Sequence, residues 1–494
     1  MPLIKVLNTI FQMLIGYRSL GIFSSNVPFS VFTPKDKVPL LIVPVDDVFF
    51  TYYIDKLRLR AVSDKTPNSK PITHICSDQN SVFAAAGTSV YRYVGFNRII
   101  STFKNDKTVV KSMPFGESLV VAYDNGDIVV FDLHTEEIIQ TIPKIEPRIV
   151  DFIHPPTYMN KIIVVYESKK MVLLNVKTGK LIHNYTSELK SPPVQLCQTP
   201  VKGIVAIAGK NTVDILNIET DEILFTLKHD EMIKSVSFRS DGIEQAVVGL
   251  STGELAVWNL ENKRLVGKKA AHNGPIVSAQ FLNNQGLLAS NGVDNSVNLW
   301  FFESGKVDSG VSMPELQVKR YGHSSNVTNT KFFENGILLS SDNRGNLSSW
   351  AVERPSNCLS LGRAKTVSNK KAKKEKSSVD QSWHLSDFSF LEANTARKND
   401  WACIVGAHGK VLTFWSMDTK KQLGFLKFDD TITALTMTKC GNWDRSKYYY
   451  FIYYINIISF DKQDKLIFVF VLEHNGEGDQ TSDRQLMLRL KVLS

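Results

Sequence analysis

Cysteine is scarce in this chain of 494 residues, with five in all: Cys76, Cys197, Cys358, Cys403 and Cys440. They are odd in number, far apart and form no CxxC pair, which argues against a disulfide framework or a cysteine zinc site and suits a reducing intracellular compartment. No GxxxxGK followed by Ser or Thr occurs, and no GxGxxG, so neither common phosphate-cradling loop is available. The ten histidines do not gather with cysteines or acids at metal-ligand spacing, and no cofactor is expected. Long apolar runs are missing too. The aromatic stretch from Ser446 to Phe460 meets Asp461, Lys462, Asp464 and Lys465 before it reaches the ~20 residues of a membrane span, so no membrane partner is expected. The apolar amino terminus is interrupted by Asn8 and Gln12 and is followed by no small-residue cleavage site. It reads as a covering strand or helix, or a poorly defined gene start, rather than a signal peptide.

What the chain has in quantity is repetition. A Gly- or Asp-containing turn followed by a short alternating strand ending in a bulky residue returns nine times, as in DNGDIVVFDL (124–133) and STGELAVWNL (251–260). The bulky residues are Tyr52, Tyr93, Phe131, Leu174, Leu216, Trp258, Trp300, Trp350 and Trp415, separated by 41, 38, 43, 42, 42, 42, 50 and 65 residues. A spacing in the low forties fits one twisted four-stranded sheet per unit, the blade of a β-propeller.

Three units carry a histidine upstream of the marker. His229, His272 and His323 stand 29, 28 and 27 residues before Trp258, Trp300 and Trp350, the arrangement of WD repeats. In the clearest unit, His272, Ser290, Asp294 and Trp300 fit the WD structural tetrad, a hydrogen-bonded series that satisfies polar groups inside the blade. Ser, His and Asp together also resemble a nucleophilic triad, but that chemistry needs an exposed hydroxyl beside a cleft. The stretch Gly249 to Gly253 resembles a nucleophile elbow, yet it falls in a blade turn, where Gly and Ser serve backbone geometry. The chain is therefore expected not to be an enzyme.

The expected fold class is all-β: a WD-repeat β-propeller with one seven-bladed ring and a partial second propeller. The reading divides the chain into an extension (1–20), a first propeller (21–313), the start of a second propeller with a disordered basic insert at 354–382 (314–442), and a non-repeat tail (443–494). The residues after Asn442 have neither turn nor marker, so a gene-model artefact is suspected from about Trp443 onward, the competing reading being a divergent blade or edge strand. The net charge of +9 is concentrated in one place. Between Arg354 and Lys376 eight basic residues face one acid, Glu375, giving +7 and leaving the propeller body nearly neutral. Arg363, Lys365, Lys370, Lys371, Lys373, Lys374 and Lys376 are the candidates for a nuclear-localisation signal or RNA contact. The competing reading is a solvated loop.

Several phrases resemble the tandem-propeller WD-repeat family of the small-subunit processome. They are GYRSLGIFSSNVPFSVF (16–32), SVFAAAGTSVYRY (81–93), DNGDIVVFDL, the run from Ala271 and His272 through NRGNLSSWAV, the basic LGRAKTVSNKKAKKEK, and NDWACIVGAHGKVLTFW (399–415). The resemblance covers roughly residues 16–442. It implies a nucleolar, non-catalytic scaffold in the nucleus. Its partners would be other WD-repeat propeller proteins, together with pre-rRNA and a box C/D small nucleolar ribonucleoprotein, met directly or through proteins. The family has two full propellers and a helical carboxy-terminal domain, whereas one propeller and a fraction are expected here. The alternative is a WD-repeat adaptor presenting substrates to a ubiquitin ligase or signalling complex.

Overall fold

The computed structural model describes residues 21–350 except 35–37, 96–97, 283–285, 304–310, 324, 334–336 and 343–345; beyond 350 it describes the backbone of the strands given below, and Met1 to Leu20 lie outside it. Every regular element among the described residues is a strand, and the strands form ten four-stranded antiparallel sheets, each a meander in chain order. Seven sheets (residues 30–62, 74–104, 109–142, 149–184, 193–228, 233–270 and 276–321) belong to one compact unit, Ile22–Gly322. Three more (327–363, 390–427 and 436–493) belong to a second, which takes up the chain from His323.

Within the seven-sheet unit the second strands Leu40–Val45, Ser81–Ala86 and Gln245–Leu250 are buried end to end, and the other four are buried except at a half-buried first residue. Neighbouring sheets cover both faces, which is why these strands read as continuous apolar runs rather than alternating ones. Fourth strands lie at the rim, and Leu181–Asn184 is exposed at all four positions. Clusters of buried side chains join successive sheets: Phe49 meets Tyr93 edge-on at 4.9 Å between the first and second, and Phe103 packs on Phe131 at 5.5 Å between the second and third. Phe152 with Val130 joins the third and fourth, and Val257 with Trp300 the sixth and seventh.

The nine marker residues all stand in the third strand of a sheet. At eight of them, from Tyr52 through Trp300 and again at Trp415, the register between the third and fourth strands shifts at the marker itself. A bulge sharpens strand twist, so in these eight sheets the period seen in the sequence marks the place where the third strand twists more sharply against the fourth.

Three boundaries differ from the sequence reading. The seventh sheet does not end at 313: its fourth strand is Glu315–Tyr321, paired with the strand that carries Trp300. Residues 304–314 hide this strand in the sequence by interrupting the alternation. The insert expected to be disordered over 354–382 begins with a strand, Cys358–Arg363, because the eighth sheet takes its fourth strand from there. The expected non-repeat tail contributes Tyr449–Asn456, Ile467–His474 and Met487–Leu493 to the tenth sheet.

Candidate functional site

The structure brings His272, Ser290, Asp294 and Trp300 together inside the seventh sheet. The Trp300 indole N–H donates to Ser290 Oγ at 2.9 Å, and Ser290 Oγ lies 2.8 Å from His272 Nε2. An indole nitrogen can only donate, so the Ser290 hydroxyl hydrogen is free to point at Nε2, and Nδ1 is the nitrogen that donates onward. Nδ1 lies 3.0 Å from Asp294 Oδ1 and 2.8 Å from Ser296 Oγ, whose hydroxyl donates to the same carboxylate at 2.7 Å. The other carboxylate oxygen accepts the Asn273 N–H at 3.0 Å. Packing leaves no room for a side chain at Gly292, where a Cβ would stand 2.5 Å from His272 Nδ1.

Burial by itself would raise the Asp294 carboxyl; the hydrogen bonds from His272, Asn273 and Ser296 outweigh it and hold the group down to about 2. A carboxyl depressed in the folded state contributes stability that is present above its unfolded value of ~3.9 and is lost as pH falls through the folded value. Acid titration of the unfolding free energy is therefore expected to show about 2 kcal/mol lost between roughly pH 4 and pH 2 that the Asp294→Asn variant does not lose.

A second series, only half visible in the sequence, stands in the eighth sheet. Trp350 Nε1 donates to Ser340 Oγ at 2.6 Å, Ser340 Oγ lies 2.6 Å from His323 Nε2, and His323 Nδ1 lies 3.1 Å from Asp342 Oδ2. Its serine stands ten positions before the tryptophan, as in the seventh sheet, and that spacing is the signal that would have found it. In the sixth sheet the same position is Val248, and the series shortens to a pair: Trp258 Nε1 donates directly to His229 Nε2 at 3.0 Å. Burial, with some help from Lys268, pushes the His229 imidazole below its ordinary range, which suits a ring that must accept.

None of these serines is placed for attack. Ser290 has no exposed surface, and a nucleophile needs access to substrate. The elbow-like stretch is the turn between the second and third strands of the sixth sheet. Gly253 sits there at φ 89, with the His272 carbonyl oxygen 2.3 Å from where a Cβ would be. Among the described residues no group of three His, Cys, Asp or Glu is arranged to hold a metal ion.

The inner strands carry a set of acceptors that sequence reading missed. His74 Nδ1 faces the N–H of Ser112, Asp151 Oδ2 accepts from Leu196, Gln195 Oε1 from Val236 and Ser237 Oγ from Phe281, at 3.3, 2.7, 2.9 and 2.9 Å. Each donor lies 38 to 45 residues further on, in the first strand of the next sheet. One polar side chain in each of the second, fourth, fifth and sixth sheets thus stitches it to the sheet that follows. At Asp151 the stitch is charged, since Lys111 Nζ also binds its Oδ1. Around it, burial and then Lys111 push the His74 imidazole down to about 3, and burial raises both the Cys76 and Cys197 thiols to about 12. Those thiols are inert as nucleophiles at neutral pH.

Of the basic candidates, Arg363 is the last residue of the eighth sheet's fourth strand, opposite Asn346. Lys365, Lys370, Lys371, Lys373, Lys374 and Lys376 lie outside the described residues.

Residues 41–303 match the family described as the WDR36/Utp21 first beta-propeller. The chain belongs to this family. Human WD repeat-containing protein 36 is 32% identical over 447 residues, covering 87% of this chain and 49% of that protein. U3 small nucleolar RNA-associated protein 21 of Saccharomyces cerevisiae is 28% identical over 461 residues, and its homolog in Schizosaccharomyces pombe is 26% identical over 447, each aligned to 86% of this chain. The chain spans about half the length of these relatives. Among solved structures, a chain of a mitotic checkpoint complex superposes with a TM-score of 0.50 at 11% identity, over 57% of this chain and 89% of that one, a likeness of fold alone. The WDR36/Utp21 match and the sheets together make the chain an all-β, WD-repeat β-propeller protein.

Proposed function

We propose that this chain is a non-catalytic scaffold of the small-subunit processome, concentrated in the nucleolus and needed for maturation of small-subunit (18S) rRNA. Other WD-repeat propeller proteins, pre-rRNA and a small nucleolar ribonucleoprotein are its partners, met directly or through proteins. The observation that carries the reading is the WDR36/Utp21 match over residues 41–303, joined to relatives whose names associate them with U3 small nucleolar RNA. The chemistry of the described residues suits a scaffold: the Ser, His and Asp constellations are buried and bonded to one another within blades. In this reading Ile22–Gly322 is the first propeller, and the sheets after His323 begin a second.

The test is the location and sedimentation of the tagged chain. Nucleolar concentration and co-migration with pre-ribosomal particles are expected. Exclusion from both, with recovery alongside ubiquitin-conjugating machinery, would favour the adaptor reading instead.

The basic run contributes location and charge-driven binding rather than fold. Changing Lys370, Lys371, Lys373, Lys374 and Lys376 to Gln is expected to leave the melting temperature unchanged while weakening nuclear import or flattening the salt dependence of pre-ribosome retention. A variant that matches the parent in import and in salt dependence would reduce the run to a solvated loop.

A further inference from the structure

The seven-sheet unit shares no strand between its ends, because the first sheet is complete within residues 30–62 and the seventh within 276–321. A different fastening holds them. Asn295, in the turn between the second and third strands of the seventh sheet, has φ 56, a left-handed conformation that Asn tolerates and Gly favours. Its Oδ1 accepts the N–H groups of Phe23 and Ser24 at 2.7 and 3.2 Å, and its backbone carbonyl accepts the N–H of Gly322 at 3.1 Å. Phe23 and Ser24 are where the chain enters the unit; Gly322 is where it leaves.

Bonds on either side extend the fastening. Asn291 Nδ2 donates to Ser24 Oγ and to the Val27 carbonyl, both at 2.9 Å. The Ser25 amide and hydroxyl both donate to the Pro44 carbonyl of the first sheet, at 3.0 and 2.8 Å. From the exit side, the Arg320 guanidinium donates to the carbonyls of Leu57 and Lys56 at 3.2 and 3.3 Å. Entry segment and exit strand therefore both bridge the seventh sheet to the first, and both are tied to one residue.

We infer that residues 22–29 and the strand ending at Tyr321 form a single clasp keyed at Asn295, which releases the entry and the exit of the unit together. The side chain holds the entry, and in doing so fixes the orientation of the turn whose carbonyl holds the exit. Tension on the chain before Ile22 and tension on the chain after Gly322 thus load the same few bonds, so that either flanking segment can loosen the grip on the other.

Hydrogen exchange of the full chain tests this with Asn295→Gly, which keeps the left-handed turn and its carbonyl and removes the side-chain carboxamide with its Oδ1 acceptor. The amides of Phe23, Ser24 and Gly322 are expected to exchange about tenfold faster as a group, with the third to fifth sheets unchanged. Asn295→Asp retains the acceptor and is expected to behave like the parent. Asn291→Ala, which cuts the entry from its other anchor, is expected to speed Gly322 as well. Faster exchange at Phe23 and Ser24 with Gly322 at the parent rate, in either variant, would overturn the coupling. So would acceleration spread evenly over all seven sheets.

Discussion

Trp300→Ala is expected to destabilise the seven-sheet unit by about 3–5 kcal/mol, the largest effect in the seventh sheet. The indole is 2% exposed and packs among Val257, Phe281 and Phe302, so its removal leaves a cavity that buried strands cannot collapse to fill. It also takes the donor from Ser290 and with it the start of the hydrogen-bonded series. Two further variants separate volume from bonding. Trp300→Phe keeps much of the volume and loses the N–H, and about 1 kcal/mol is expected. Asp294→Ala keeps the packing and leaves His272 without its carboxylate, and ~1–3 kcal/mol is expected. Denaturant midpoints should fall furthest for Trp300→Ala. If Trp300→Ala and Asp294→Ala were both as stable as the parent, the structural role of the series would be wrong.

Asp151→Ala is expected to cost about 3–5 kcal/mol as well, for an electrostatic reason. One carboxylate, 8% exposed, serves Lys111 in the third sheet and the Leu196 N–H in the fifth. Deleting it strands a half-buried ammonium and an inner-strand amide at the same moment. Asp151→Asn keeps an oxygen for Leu196 and loses only the charge, so a smaller cost is expected. Lys111→Met alone leaves the carboxylate with its amide partners and should be milder than Asp151→Ala. A double-mutant cycle on urea unfolding reads the coupling, and a coupling near zero would show that the two side chains stabilise the sheets independently.

How much of the fold and of the site is legible in the sequence depends on whether a feature recurs as a residue type or only as a geometry. The markers from Tyr52 to Trp415 are readable because a bulky side chain recurs in the third strand of each of these sheets. The His272 series is readable because His, Ser, Asp and Trp come at once. The series at His323 is only half readable, since Asp342 ends a strand while Asp294 sits in a turn, and the carboxylate spacing differs between the two. The inner acceptors stay hidden for a plainer reason: at one repeating position a His, an Asp and a Gln all receive an N–H, and in the sixth sheet the acceptor is Ser237, two residues further along, so neither residue type nor spacing is constant. Fourth strands are the hardest. Lying at the rim, they are half exposed and mixed in composition. Glu315–Tyr321 and Cys358–Arg363 therefore look like linker and basic insert, and only pairing with a third strand reveals them.

A role of this WDR36/Utp21 family chain in small-subunit ribosome formation can be measured by pulse-labelling ribosomal RNA in cells depleted of it. Newly made 18S rRNA is expected to fall sharply while large-subunit rRNA continues to accumulate, and the chain supplied in trans is expected to restore the balance. Unchanged synthesis of both RNAs after complete depletion would contradict that role.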